Sequence, residues 1–304
     1  MPTSAPAMKL KLRERVLELE PGGALIMGIV NVGNDSVADS TSLPSLAEQL
    51  PFALSQVQAG AQIIDIGVQS GRTDTPPISA EDELERMVPL VRALAERGVL
   101  VSVDTWRAAV ARGAVEAGAH LINDTSGLAD VELAQVAAES GAGLVLMHTR
   151  ARPKEANFPV YEDVTADVLE FLRERLELAV SHGVAESQLV LDPGPDFAKT
   201  PSETIEVLRR ISELQAFGRP LLLAVSRKYF IGMLSGRDPE DRLGGTLAAV
   251  AHGLDAGAHI LRVHDVAVTH EFLTVRQALR ESGTPRFHGH SSDERLKWIA
   301  PKRL

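Results

Sequence analysis

The chain has 304 residues, a formal net charge of −10, 44% hydrophobic and 24% charged residues, and no cysteine. Its acidity argues against a general nucleic-acid or membrane-surface partner, because phosphate-rich surfaces repel it at long range. The lack of cysteine excludes disulfides and thiolate chemistry and fits a reducing compartment, so a cytoplasmic location is expected. No apolar run reaches about 18 residues, and residues 1–12 lack the apolar core of a signal peptide, so neither membrane span nor export signal is expected.

An apolar, β-rich run over 24–30 is followed by helical periodicity over 43–58. The alternation then continues: strand 63–66 with helix 80–96, 99–103 with 106–117, 120–122 with 131–140, and 143–147 with 162–182. Strand 189–191 precedes helix 202–215, 221–225 precedes 238–256, and 260–263 precedes 266–280. Eight strand–helix units with right-handed parallel crossovers predict an α/β fold, a single-domain (β/α)8 TIM barrel. The strands are continuous apolar runs, as expected when both faces of a sheet are covered. A doubly wound open sheet is the competing fold, but Asn31-Val32-Gly33-Asn34-Asp35 after the first strand lacks the G-x-G-x-x-G turn. The expected organisation is an N-terminal extension over 1–20 with a short hairpin that could plug the barrel floor, a barrel over 21–282, and a polar tail over 283–304. Two strand–helix connections are long, 32–42 and 68–79, as are mobile loops over barrel mouths.

Nearly every predicted strand stops on a polar residue: Asn31, Asp65, Asp104, Asn123, His148, Asp192, Lys228 and His264. In a closed parallel barrel such residues converge on one mouth. Arg262 and His264 share strand parity just ahead of a predicted helix, a placement that suits a phosphate. The competing reading pairs Arg262 with a carboxylate and makes His264 a hydrogen-bonder at the helix start. Lys228 brings a point charge and three donors, while Asp104, Asn123 and Asp192 offer acceptors and an amide to a flat heterocycle with ring N–H and amine groups. Taken singly, Asp104 and Asp192 are as well explained as helix or turn caps, and a lone His148 as a packing residue. No His or Cys cluster points to structural zinc. Mg²⁺ needs few protein ligands when phosphates supply oxygens, and the Asn31 amide oxygen would suffice. With no P-loop, nucleophile elbow or triad, positioning and leaving-group stabilisation remain as the chemistry.

In chain order the segments Met27-Gly28-Ile29-Val30-Asn31-Val32, Asp35-Ser36, Ile64-Asp65-Ile66-Gly67, Ser102-Val103-Asp104-Thr105 and Ile122-Asn123-Asp124 are followed by Leu146-Met147-His148, Leu191-Asp192-Pro193-Gly194, Ser226-Arg227-Lys228 and Arg262-Val263-His264-Asp265. This series resembles the dihydropteroate synthase family over nearly all of 24–279. The resemblance implies a folate-pathway transferase that joins 6-hydroxymethyl-7,8-dihydropterin pyrophosphate to p-aminobenzoate or a related arylamine and releases pyrophosphate. It implies a pterin site of Asp104, Asn123, Met147, Asp192 and Lys228, and a pyrophosphate site of Asn31, Arg262 and His264 with Mg²⁺ on Asn31. Asp35 and Arg72, from the two long loops, would join Asp104 and Lys228 in catalysis. Phe197, Ser226 and Arg72 would line the arylamine subsite. A homodimer with the last helices in contact is also implied.

The departures from the family pattern cluster. The first loop reads Gly33-Asn34-Asp35-Ser36-Val37 where Thr-Pro-Asp-Ser-Phe is usual, and the second reads Val68-Gln69-Ser70-Gly71-Arg72-Thr73-Asp74 where Gly-Glu-Ser-Thr-Arg-Pro-Gly is usual. Asp196-Phe197-Ala198-Lys199 replaces Gly-Phe-Gly-Lys. Asp74 and Asp196 bring negative charge near the expected aryl carboxylate, which disfavours p-aminobenzoate electrostatically. An alternative is therefore a pterin-binding paralogue with an altered second-substrate site and little or no synthase activity.

Overall fold

The computed structural model describes residues 8–20, 22–33, 45–69, 76–155 and 157–280. It opens with an antiparallel hairpin, β1 (Met8–Leu12) and β2 (Arg15–Leu19). Eight parallel strands follow: β3 (Leu25–Asn31), β4 (Ile63–Gly67), β5 (Leu100–Asp104), β6 (Leu121–Asp124), β7 (Gly143–Met147), β8 (Leu189–Asp192), β9 (Leu222–Leu223) and β10 (Ile260–Val263). Their spatial order is β8-β7-β6-β5-β4-β3-β10-β9, and a single parallel bridge from Leu191 to Leu221 brings the two ends of the sheet together. The predicted (β/α)8 barrel is the observed fold, and the open-sheet alternative falls away.

The period of two along each strand explains both the core and the site. One set of side chains, including Ile64, Ile66, Val101, Val103, Ile122, Leu144 and Leu191, faces the surrounding helices in the main apolar core. The other set points into the barrel, where Met27, Ile63, Leu100, Leu121, Val145, Val190 and Ile260 form a separate floor cluster. Leu10, Leu12 and Leu19 of the hairpin pack into this cluster from below and are at most 4% exposed. Two residues further along the inward face, at the opposite end of the barrel, stand Asp65, Ser102, Asn123, Met147, Asp192 and Arg262. The hairpin therefore closes the floor with apolar groups and leaves the polar ones at the mouth.

The helices are α1 (Leu46–Gln58), α2 (Ala80–Ala95), α3 (Ala108–Glu116), α4 (Glu132–Ser140), α5 (Val164–Ser181), α6 (Pro201–Arg209), α7 (Tyr229–Ser235), α8 (Leu243–Asp255) and α9 (Val266–Arg280). Ser79 caps α2 through the Asp82 N–H, and Thr200 with Glu203 forms a capping box ahead of Pro201 in α6. Three expectations are corrected. The helix expected over 202–215 ends at Arg209 and continues as a 3-10 segment, Ile211–Phe217, closed by a left-handed Gly218. The one expected over 238–256 begins only at Leu243, because Pro239 starts a 3-10 turn and Gly244-Gly245 weaken the first helical turn. α7 was not expected: seven residues with Gly232 inside are too short for a clear period.

Candidate active site

The strand register sets the mouth in rows. Asn31 is the Cα partner of Gly67, Gly67 of Asp104, and Asp104 of Asn123. Across β7 and β8, Met147 is the partner of Asp192. Backbone pairing alone thus sets Asp104 beside Asn123 and Met147 beside Asp192, with Asn31 one strand away from Asp104 across Gly67.

Arg262 crosses the barrel between two of these carboxylates. Its Nε donates to Asp65 Oδ2 at 2.7 Å and a terminal nitrogen donates to Asp104 Oδ2 at 3.0 Å. Asn123 Nδ2 donates to the same Asp65 oxygen at 3.2 Å, and the Thr125 hydroxyl lies 3.4 Å from Asp104 Oδ1. Burial raises the Asp104 carboxyl to about 7, with Asp65 adding to the shift and Arg262 opposing it. Burial pulls the Arg262 guanidinium down, but Asp65 and Asp104 outweigh it and hold it above its ordinary value. The carboxylate pairing left open for Arg262 is therefore observed. Asp65, given no role in the site by the sequence, emerges as the hub of the cluster and is fully buried. The signal was present: it is the only charged residue in the wholly buried run Ile63–Gly67.

Asp192 ends β8 nearly buried, and its Oδ1 accepts the Gly194 N–H at 2.7 Å in a tight turn. Burial raises its carboxyl, against that hydrogen bond and Lys228. Gly194 has φ +65, and a Cβ there would strike the His148 carbonyl oxygen, so only glycine allows the loops after β7 and β8 to meet. Lys199 staples the same loops from beneath. Its buried Nζ lies 2.7 Å from His148 Nδ1 and donates to the carbonyls of His148 at 3.3 Å, Gly194 at 2.9 Å and Phe197 at 3.1 Å. His148 is a packing residue, set edge-on to Phe171 and bonded through Nε2 to Asp167 at 2.8 Å.

Lys228 immediately precedes α7, with its Nζ 4.3 Å from the centre of the Phe197 ring. Arg242 holds this corner by donating to the carbonyls of Arg227 at 3.0 Å and Lys228 at 3.3 Å; a Cβ on Gly232 would collide with its guanidinium. Burial lowers the Lys228 ammonium, and Asp196 is the strongest of the carboxylates that oppose this. The Ser226 hydroxyl oxygen is 2.9 Å from His264 Nδ1 and accepts the His264 backbone N–H at 3.2 Å, so it helps to orient that ring. In the tautomer that has Nδ1 accept from the Ser226 hydroxyl, Nε2 carries the ring proton and can donate it to an anion.

Asn31 ends β3, and a Cβ on Gly67 would lie 3.5 Å from its Oδ1 and 3.7 Å from Asp104 Cβ. The Asn31 amide oxygen and the Asp104 side chain thus flank Gly67 at one rim. A single hard oxygen fits a magnesium ion that draws its other ligands from pyrophosphate and water. Among the described residues no group of three or more His, Cys, Asp and Glu could hold a metal by itself. Asp35 and Arg72 lie outside the described residues.

Residues 27–264 match the family model described as pterin binding enzyme. The chain is 42% identical over 258 residues to a dihydropteroate synthase of Synechocystis sp., covering 84% of this chain and 89% of that protein. It is 39% identical over 271 residues to the dihydropteroate synthase of Escherichia coli, covering 88% and 96%. Among solved structures, Xanthomonas albilineans dihydropteroate synthase with 4-aminobenzoic acid superimposes with a TM-score of 0.83 at 35% identity, covering 91% of this chain and 100% of that one.

Proposed function

The chain belongs to the dihydropteroate synthase family of pterin-binding enzymes, and on that ground we propose how its mouth carries the reaction. It is a transferase that condenses 6-hydroxymethyl-7,8-dihydropterin pyrophosphate with p-aminobenzoate or a related arylamine and releases pyrophosphate. The convergence of Asp104, Asn123, Asp192, Lys228 and Arg262 on one barrel mouth is the observation that carries the assignment of roles.

Asp104, Asn123 and Asp192 hold the pterin edge by hydrogen bonds to its ring N–H and amino groups, with Met147 packed beside the ring and Lys228 over a ring acceptor. The terminal nitrogen of Arg262 that bonds neither Asp65 nor Asp104, together with His264 Nε2–H, faces the pyrophosphate. The bond between the pterin methylene carbon and the pyrophosphate oxygen breaks first. The arylamine nitrogen then attacks that carbon beside Phe197 and loses a proton. The carboxylates that accept the pterin N–H groups stabilise the positive charge that spreads into the ring. Asp35 and Arg72 act from the two long loops. Asn31 would hold magnesium, which supplies counter-charge to the leaving pyrophosphate when bound.

The same reading includes a cytoplasmic homodimer. It is supported by the chain's lack of cysteine and by the exposed apolar side chains Val268, Val275 and Leu279 along α9. No described helix is long and apolar enough to cross a membrane. Light scattering on the eluting protein tests the dimer.

The reaction is tested by pyrophosphate release from dihydropterin pyrophosphate, p-aminobenzoate and Mg²⁺. Turnover that disappears in Asp104→Ala supports the assignment. Release no faster than in that variant, with the pterin still bound, would instead identify the non-catalytic paralogue.

A further inference from the structure

We propose that Asp196 is a specificity-determining residue that biases the second-substrate subsite against arylamines bearing a carboxylate. The inference rests on the reaction assigned above and on the geometry of the turn between β8 and α6.

Asp196 stands where the family pattern has glycine and keeps the left-handed conformation that glycine favours, with φ +63. Its carboxylate is fixed on both oxygens. Oδ2 accepts the backbone N–H of Tyr229 at 2.5 Å and of Phe230 at 3.3 Å, the first two residues of α7. Oδ1 accepts the Thr204 hydroxyl at 3.2 Å, and the Thr204 oxygen in turn takes the Asp196 N–H at 3.1 Å. The next residue, Phe197, presents its ring to the Lys228 ammonium. An arylamine stacked beside Phe197 therefore lies next to a half-buried carboxylate held by three hydrogen bonds.

The backbone N–H groups of Tyr229 and Phe230, just past Lys228, are already bonded to Asp196. An incoming carboxylate meets occupied donors and a like charge held at close range in a partly desolvated corner. A neutral substituent such as a carboxamide meets neither cost. Thr204 and the two N–H bonds prevent the Asp196 carboxylate from swinging out to relieve the repulsion.

The test compares steady-state pyrophosphate release with p-aminobenzoate and with p-aminobenzamide, in the wild type and in Asp196→Asn. Asparagine keeps the acceptor oxygen and tolerates positive φ, so it removes the charge with the cap in place. The ratio of KM for p-aminobenzoate to KM for p-aminobenzamide is expected to fall about tenfold in the variant. A ratio unchanged within about twofold would overturn the proposal and leave Asp196 as a cap alone. Thermal melting of both proteins guards against a general folding defect. No release with either amine in the wild type would count against the reaction, not the subsite. In that case calorimetric binding of the two amines to protein loaded with pterin and pyrophosphate reads the same ratio, with the same outcomes.

Discussion

Arg262 Nε lies 2.7 Å from Oδ2 of Asp65, a contact between residues 197 positions apart that joins β10 to β4 across the inside of the barrel. The Asp65 oxygen also anchors Asn123, so one buried carboxylate fixes both the amide proposed for the pterin and the cation proposed for pyrophosphate. Asp65→Asn keeps the shape and removes the charge. Loss of one partner from a buried pair costs on the order of 3 kcal/mol, measurable as a lower urea midpoint. The KM for pterin pyrophosphate is expected to rise more than about tenfold, with a smaller effect on the KM for the arylamine.

Asp104 links proton uptake to both folding and binding. Its carboxyl is raised by burial from an ordinary 3.8 to about 7. Between those two values the folded chain holds more of this proton than the unfolded chain, so the group's contribution to stability declines as pH rises through the window. Ligand binding has the opposite sign, since only the ionised carboxylate accepts two pterin N–H bonds. Pterin affinity is expected to increase from pH 6 to pH 8, and calorimetry on Asp104→Asn should show this dependence flattened.

Lys199→Met would remove the donor shared by the carbonyls of His148, Gly194 and Phe197. Leaving buried acceptors unpaired outweighs the relief of burying a charge, for a net cost on the order of 3 kcal/mol. The variant should also change the acid limb of stability. Burial and then Lys199 lower His148 to about 3, against Asp167. That stabilisation is complete above 6.5 and is lost as pH falls towards 3. Without the Lys199 charge the His148 value rises, and melting temperatures between pH 6 and pH 4 should decline less steeply than in the wild type.

The floor makes a control of opposite character. Leu12 is fully buried beneath the barrel, at the end away from the mouth. Leu12→Ala is expected to cost about 2–5 kcal/mol in unfolding free energy while leaving KM for both substrates within about twofold. A change in KM comparable to that of Asp65→Asn would show that floor and mouth are coupled.

The strand-end residues were legible because parity and register are local. A residue two places beyond an inward apolar one must also point inward, and parallel pairing sets Asp104 beside Asn123 whatever the loops do. Pairing across the barrel was not legible, since nothing near Asp65 in the sequence announces Arg262. The link from Ser226 to His264 was not legible for a related reason. The motif brings this serine next to Lys228, but its hydroxyl turns to the neighbouring strand end at His264. Asp196 showed its charge in the sequence, while its attachment to Tyr229 and Phe230 depends on a left-handed turn and a helix too short to predict.

The bridge between Leu191 and Leu221 closes the barrel beside its shortest strand, Leu222–Leu223. Every other junction in the wall is a ladder of two or more residue pairs. Local opening follows the weakest pairing, so amide exchange should run fastest along this seam. Asp196 and Phe197 lie on one lip of it, Ser226 and Lys228 on the other. Asp192 and Lys228 thus flank a wall that can breathe, while Asp104 and Asn123 stand on the continuous ladder from β3 to β6.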